Sequence, residues 1–400
     1  VARLWSSGFE LNSLTAGVEL SHVNTGTSSI STTTKRSGDY AFRSNPSAAT
    51  GYMTHQFLAS AGTANFFLRF YLRITTAPGG LTIIARITNS GGANNMEIRL
   101  NSNRTLEMWY NDSVAGFAQG GSDSSALSLD TWYRIEMDFS SSRAVAYLDG
   151  TQFAIHGAFP GLSPSERFML GAFTASTTCD LFFDDVAFND TSGSFQTGLP
   201  GAGSILHMQP NAAGDNTQFT PLSGSNWENV DEVTPDNGTT YNYSSADSID
   251  DFNLESFTNA GGPAVDSIKL VQVGLRSYQA DSSFTSLYIR IKASSGGTVE
   301  ESSALDPNAT NTYETFKKVG GNTDYIYRLT LYDLPGASTS AWTTTNLDAA
   351  QIGYRLDQVF GGQARGTTSW LLVEYIPSAV TSFPHKIYKY MQAVKRASTY

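Results

Sequence analysis

Residues 65–74 read NFFLRFYLRI, and the parity is that of a β-strand: Phe66, Leu68, Phe70 and Leu72 share one face, Phe67, Arg69, Tyr71 and Arg73 the other. The same period of two recurs outward from this stretch. NMEIRLNSNRTLEMWYND (95–112) reads as two strands around a turn, with Met96, Ile98, Leu100, Leu106, Met108 and Tyr110 inward. WYRIEMDF (132–139) and RAVAYLDGTQFAI (143–155) follow, and Asp149-Gly150 between apolar runs is a two-residue hairpin signal. Further along, DSIKLVQVGLRSYQ, SLYIRIKAS, YIYRLTLYDL, AQIGYRLDQV and SWLLVEYI repeat the pattern between Gly- and Ser-rich joints. With 36 Gly, 19 Tyr, 23 Phe and only 15% charged residues, the composition favours short strands and turns over helices. An all-β protein is expected.

Four hundred residues exceed one ordinary core, so two β-sandwich domains in tandem are expected. The aperiodic TSGSFQTGLPGAGS at 191–204 marks the joint, which gives a first domain over 1–192, a linker over 193–204 and a second domain over 205–377. Residues 378–400 form a short basic tail of helical character. It carries Lys386, Lys389, Lys395 and Arg396 without an acid, and Ile387, Met391 and Val394 lie on one stripe. The net charge of −11 argues against nucleic acid as a partner. A single cysteine, Cys179, excludes an internal disulfide framework and suggests folding in a reducing compartment. The opening residues show no signal-like segment and no run is long enough to cross a membrane, so synthesis in a cytoplasm without a signal peptide, and no membrane partner, are expected.

The five histidines are scattered singly, and no nucleophile elbow, phosphate loop or dinucleotide fingerprint occurs. Three segments carry a resemblance. RSGDYAFRSNP (36–46), DTWYRIEMDFSSSRAVAYLDG (130–150) and CDLFFDDVAFND (179–190) resemble the concanavalin A-like or laminin G-like jelly roll over about residues 1–192. The resemblance implies a late strand with an Asp-Asp-Val step that pairs with the chain's first strand. It leaves function open, since such folds serve lectins, glycanases, adhesion modules and viral particle proteins. Laminarinase-like members place their catalytic acids on one strand as Glu-x-Asp-x-x-Glu; Glu136 and Asp138 match the beginning, but Ser141 stands where the acid/base should be.

Parity also turns Arg69, Tyr71, Arg73, Arg86, Glu97, Arg99, Glu107, Trp109, Arg134, Glu136 and Asp138 away from the core. If their strands are neighbours, they form one charged face with aromatics among them. Tyr71, Arg73, Arg99, Glu107 and Trp109 are then candidate carbohydrate-binding residues, the rings for stacking and the charges for hydroxyls. The alternative is a solvated face of cross-strand pairs. In DLFFDDVAFND, a regular strand puts Asp184 among Phe182, Val186 and Phe188, and Asp185 beside Phe183. A buried carboxylate requires partners, so structural hydrogen bonding ranks first, a structural calcium held by Asp184 and Asp185 second, and catalysis third. No other cofactor is expected.

These readings lead to a non-enzymatic structural or adhesive protein of a virus particle, such as a bacteriophage capsid decoration, fibre or tail component. LWSSGFELNS and SGDYAFRSNP are similar to segments of phage-encoded jelly-roll proteins. Its expected partners are capsid or tail subunits, met through the basic tail, and glycans; a homo-oligomer on the virion is expected. The alternative is a carbohydrate-active enzyme or carbohydrate-binding module of the laminarinase-like type, with Glu136, Asp138, Asp184 and Asp185 as candidate groups.

Overall fold

The computed structural model describes residues 3–378, apart from 16–17, 21, 24–25, 57–64, 90–91, 113–115, 141, 158–164, 237, 280–284, 306–316, 320–321, 325–328, 338 and 359–362. The basic tail with Lys386, Lys389, Lys395 and Arg396 therefore lies outside the described residues.

Among the described residues the chain is all β apart from one 3-10 turn and the short helix Thr344–Ala349. Its first part contains β1 (Arg3–Ser7), β2 (His22–Val23), β3 (Ser28–Ser31), β4 (Ala41–Ser44), β5 (Ala49–Gln56), β6 (Asn65–Thr76), β7 (Thr82–Asn89) and β8 (Asn94–Leu100). It continues with β9 (Leu106–Asp112), β10 (Gly116–Gly120), β11 (Trp132–Ser140), β12 (Arg143–Leu148), β13 (Thr151–Gly157), β14 (Ser165–Thr177) and β15 (Asp180–Asn189). An eight-stranded sheet runs β13-β12-β11-β6-β15-β4-β3, with β1 added on β15; a seven-stranded sheet runs β10-β9-β8-β7-β14-β5-β2. The residues that alternation turned inward, Phe66, Leu68, Phe70 and Leu72 from one sheet and Met96, Ile98, Leu106 and Met108 from the other, meet in one core. Burying a side chain of this size contributes roughly 1.5–3 kcal/mol. The Asp149-Gly150 turn has φ of 50° and 84°, the paired positive values that a two-residue hairpin requires.

A second sandwich follows. One sheet runs Thr220–Pro221, Asn242–Ser244, Ala364–Pro377, Val265–Gln279 and Leu329–Leu331, with Ser204–Met208 added on Ala364–Pro377. The other runs Pro210–Thr217, Ser248–Leu254, Gln351–Gln358, Thr285–Lys292 and Val299–Glu301. Leu206, Val271, Val273, Ile289, Ile352 and Leu371 are among its core. Ile205, Leu270, Trp370 and Leu372 instead pack into the core of the first sandwich, so apolar contact is continuous across the seam.

Strand β15 departs from the regular parity expected of DLFFDDVAFND. Its register with β6 shifts between Asp184 and Ala187, and Asp185 has φ of 50°, which marks a bulge. Leu181 and Phe183 point into the core before the bulge, Val186 and Phe188 after it. The extra residue lets both acids leave the apolar interior, and Asp is among the side chains that tolerate a left-handed backbone. Asp184 is accordingly not held among Phe182, Val186 and Phe188; it faces the seam with Asp185.

Candidate functional site

The outer face of the seven-stranded sheet brings together polar and aromatic side chains in register. Across neighbouring strands the paired residues are Thr54, Met169, Arg86, Glu97, Trp109 and Gln119, one each from β5, β14, β7, β8, β9 and β10. Five strand spacings of about 4.8 Å make this row about 24 Å long. Alternation explains the arrangement, since Phe168, Leu170, Ile87, Met96, Ile98 and Met108 take the inward positions of the same strands.

Glu97 sits mid-row and is buried. Its Oε1 accepts from Arg86 Nε at 2.8 Å and its Oε2 from Arg99 Nε at 2.9 Å, which fixes both guanidinium groups. Arg99 stacks on Trp109 with its Cζ 3.9 Å from the ring. The indole Nε1–H donates to Glu107 Oε2 at 2.7 Å, and Asn101 donates to the other Glu107 oxygen at 2.8 Å. Phe117 lies 6.1 Å from the indole, nearly parallel to it. At the far end Tyr52 and Phe173 pack with centroids 4.5 Å apart. Beside Tyr52 lies a cavity of about 380 Å³ lined by Tyr52, Thr54, Gln56, Arg86, Thr88 and Arg167, with Gly92 and Met169. Every carboxylate of the row is held by N–H donors, so the arrangement orients groups for recognition.

Arg99, Glu107 and Trp109 thus share this face, but the rest of the expected carbohydrate site does not. Strands β6 and β11 belong to the opposite sheet, so Tyr71 and Arg73 point away from the other three. Arg73 pairs with Asp130 at 2.9 Å. Tyr71 is buried at the seam, with Arg36 Cζ 3.5 Å above its ring. Single-strand parity cannot say which strands are neighbours, and a sandwich has two outward faces. The residues that sequence reading missed are Tyr52, Thr54, Gln56 and Arg167. The period-two pattern of ATGYMTHQ and of RFMLGAF carried the signal, with Tyr52, Thr54 and Gln56 on one parity.

Of the four acids named for the enzymatic alternative, Glu136 and Asp185 meet the joint and the second sandwich directly. Glu136 Oε1 accepts from Gly201 N at 2.7 Å and its Oε2 pairs with Arg134 at 3.0 Å; Asp138 pairs with Arg143 at 2.5 Å. Asp184 Oδ2 accepts from Arg36 N at 2.7 Å and Ser37 N at 3.4 Å, and its Oδ1 from Asp185 N at 2.7 Å. Asp185 Oδ1 accepts from Ser37 Oγ at 2.5 Å and Ile205 N at 2.6 Å, and its Oδ2 pairs with Arg36. Every oxygen of the pair is therefore occupied by a protein donor, which does not fit the calcium reading. No group of three or more His, Cys, Asp or Glu among the described residues is arranged to hold a metal ion. Glu10 faces the same cluster: burial, with Asp184 and Asp185 nearby, pushes its carboxyl well above the usual range. Burial and the adjacent Asp185 push Asp184 in the same direction, against its N–H donors.

Three cations from both sandwiches surround Glu374. Its Oε1 meets Arg69 at 2.6 Å and Lys269 at 3.3 Å, and its Oε2 meets Arg3. Burial alone would raise its pKa, but Arg3, Arg69 and Lys269 outweigh that and hold it well below the usual carboxylate range. The joint is pinned rather than free: Gly201 O accepts from Arg69, Gly203 O from Arg36, and Ala202 O from Lys269.

No protein-family model matches the sequence, and no curated protein matches it. Among solved structures the chain is similar to Trypanosoma rangeli sialidase in complex with sialic acid, at 14% identity and a TM-score of 0.33, over 44% of this chain and 29% of that one. A further sialidase matches at 10% identity and 0.34, over 48% and 19%. An alginate lyase A1-II' matches at 11% identity and 0.31, over 40% and 83%. The chain thus spans under a third of the sialidases' length, and the likeness is one of β-sandwich architecture. The expectation of a non-enzymatic protein is corrected by these neighbours. They are sialidases and an alginate lyase.

Proposed function

We propose that this chain is a carbohydrate-active protein that engages a glycan along the outer face of its seven-stranded sheet. The single observation behind this reading is the register-matched row from Thr54 to Gln119, about 24 Å long, with aromatic side chains toward both ends. Arg86 and Arg99 donate to hydroxyl oxygens from positions fixed by Glu97. Trp109, anchored through its N–H by Glu107, offers an amphipathic ring at the β9 end. Tyr52 and Phe173 supply apolar surface at the other.

Affinity electrophoresis and calorimetry with a panel of neutral and acidic polysaccharides test this. Trp109→Ala is expected to weaken binding about tenfold, the worth of one stacking contact near 1.4 kcal/mol, with unchanged melting in the rest of the molecule. Binding equal to wild type in both Trp109→Ala and Glu107→Ala would overturn the assignment to this face. Product analysis on whichever glycan binds then separates a cleaving enzyme from a binding module. The virus-particle role draws no support from this face; recovery of stoichiometric copies from purified particles is the measurement that bears on it.

A further inference from the structure

Arg86 and Arg99 both pair with the single carboxylate of Glu97, but Arg167 stands differently. It pairs in register with Gln56 on one side and Thr88 on the other, so its side chain shares the outer face with theirs. Among the described residues no carboxylate meets its guanidinium, and its Nε is shielded from solvent without an acceptor. It lines the cavity of about 380 Å³ described above, a volume in the range of small-molecule sites. The rest of that lining is neutral except for Arg86, which shares the Glu97 carboxylate with Arg99.

A guanidinium presents a planar fork of donors that a carboxylate satisfies with two parallel hydrogen bonds. Hydroxyl and amide groups from Thr54, Gln56, Thr88 and Tyr52 ring the same space, as a sugar requires. The chain's net charge is −11, so long-range attraction does not draw anions to this spot. Any preference for an anion there arises locally, chiefly from Arg167, the lining cation that meets no carboxylate among the described residues.

We propose that this cavity is an acidic-sugar subsite in which Arg167 receives the carboxylate of a uronate residue, the neighbouring units of the glycan continuing along the row toward Trp109. The proposal rests on the glycan-binding reading of the face and adds the class of sugar. Arg167 is the specificity determinant and the Trp109 end supplies affinity that does not depend on charge.

Calorimetry on the full chain tests it with oligogalacturonate and oligomannuronate, their carboxyl-reduced neutral counterparts, and a sulfated oligosaccharide of the same length. Wild type is expected to bind one of the uronate series at least tenfold more tightly than its reduced form. Arg167→Gln is expected to erase that difference and leave affinity for the neutral form within twofold, and Arg167→Lys to restore part of it. Melting curves confirm that both variants fold. Equal affinity for uronate and reduced forms, equal competition by the sulfated probe, or an Arg167→Gln variant that still discriminates would each overturn the subsite. Neutral-glycan binding that is lost in Trp109→Ala but indifferent to Arg167→Gln would leave the face standing and remove the subsite. Failure of every probe to bind would remove both.

Discussion

Glu374 is fully buried between Arg3, Arg69 and Lys269, with two of these cations from one sandwich and one from the other. Replacing it by Ala leaves three positive charges facing one another in a dry seam. Breaking a buried ion pair from one side costs about 3–5 kcal/mol, because the surviving charge loses both water and partner. Glu374→Gln keeps the shape and one acceptor, so its cost should be smaller but still above about 1 kcal/mol. Urea unfolding followed by tryptophan fluorescence reads both halves, since Trp5 is buried in the first core and Trp342 in the second. The pH dependence supplies a second check. The folded-state pKa of Glu374 lies below the unfolded value near 4.5, so its contribution is complete above that pH. It is lost progressively as the pH falls below about 4.5 toward the folded value. The gap between wild type and Glu374→Gln should therefore narrow in acid. A cost below 1 kcal/mol for Glu374→Ala, or a gap that does not shrink on acidification, would refute the assignment of this carboxylate as the electrostatic centre of the seam.

Two further outcomes concern the cores. His207 is held neutral by burial, its pKa lowered to about 3 from an ordinary 6.5, so the unfolded chain binds a proton that the folded one does not. Stability should fall as pH drops from about 6.5 to about 3, and His207→Phe, which keeps a ring against Trp370, should flatten that slope in urea titrations at pH 7 and pH 4. Gly171 has φ of 123°, and an added Cβ would lie 2.3 Å from the Gly51 carbonyl oxygen. Gly171→Ala should cost more than about 2 kcal/mol by thermal melting, because the clash is with backbone and the φ is foreign to a substituted residue. A loss under half of that would show that β5 can move away from β14.

The alternation of NFFLRFYLRI and EIRL fixed which side chains enter the core, since period two needs only the local chain. Assigning Tyr71 and Trp109 to one face required knowing that β6 and β9 lie in the same sheet, and they do not. Sheet membership is set by long-range pairing, which parity does not encode. The acid run was misread for a different reason. One extra residue at Asp184–Asp185 resets the phase, and nothing short of the β6 register reveals the bulge. The pinning of the Gly- and Ser-rich joint was not legible because its backbone partners, Arg69, Arg36, Glu136 and Lys269, come from distant parts of the sequence. Arg167 was overlooked because its significance lies in what it lacks, an acceptor, which no sequence displays.

The bulge at Asp185 also ties the first sandwich to the start of the second. Its Oδ1 waits for the backbone N–H of Ile205, twenty residues downstream, and Ile205 fills a place in the first core. Strand β15 ends at Asn189 with that oxygen held by Ser37 Oγ alone. A fragment ending near residue 192 would expose the Asp184–Asp185 pair, Arg69 and an apolar socket to water, whereas one extended through Met208 carries its own plug. The first sandwich, in this sense, borrows its last brick from the sequence of the second.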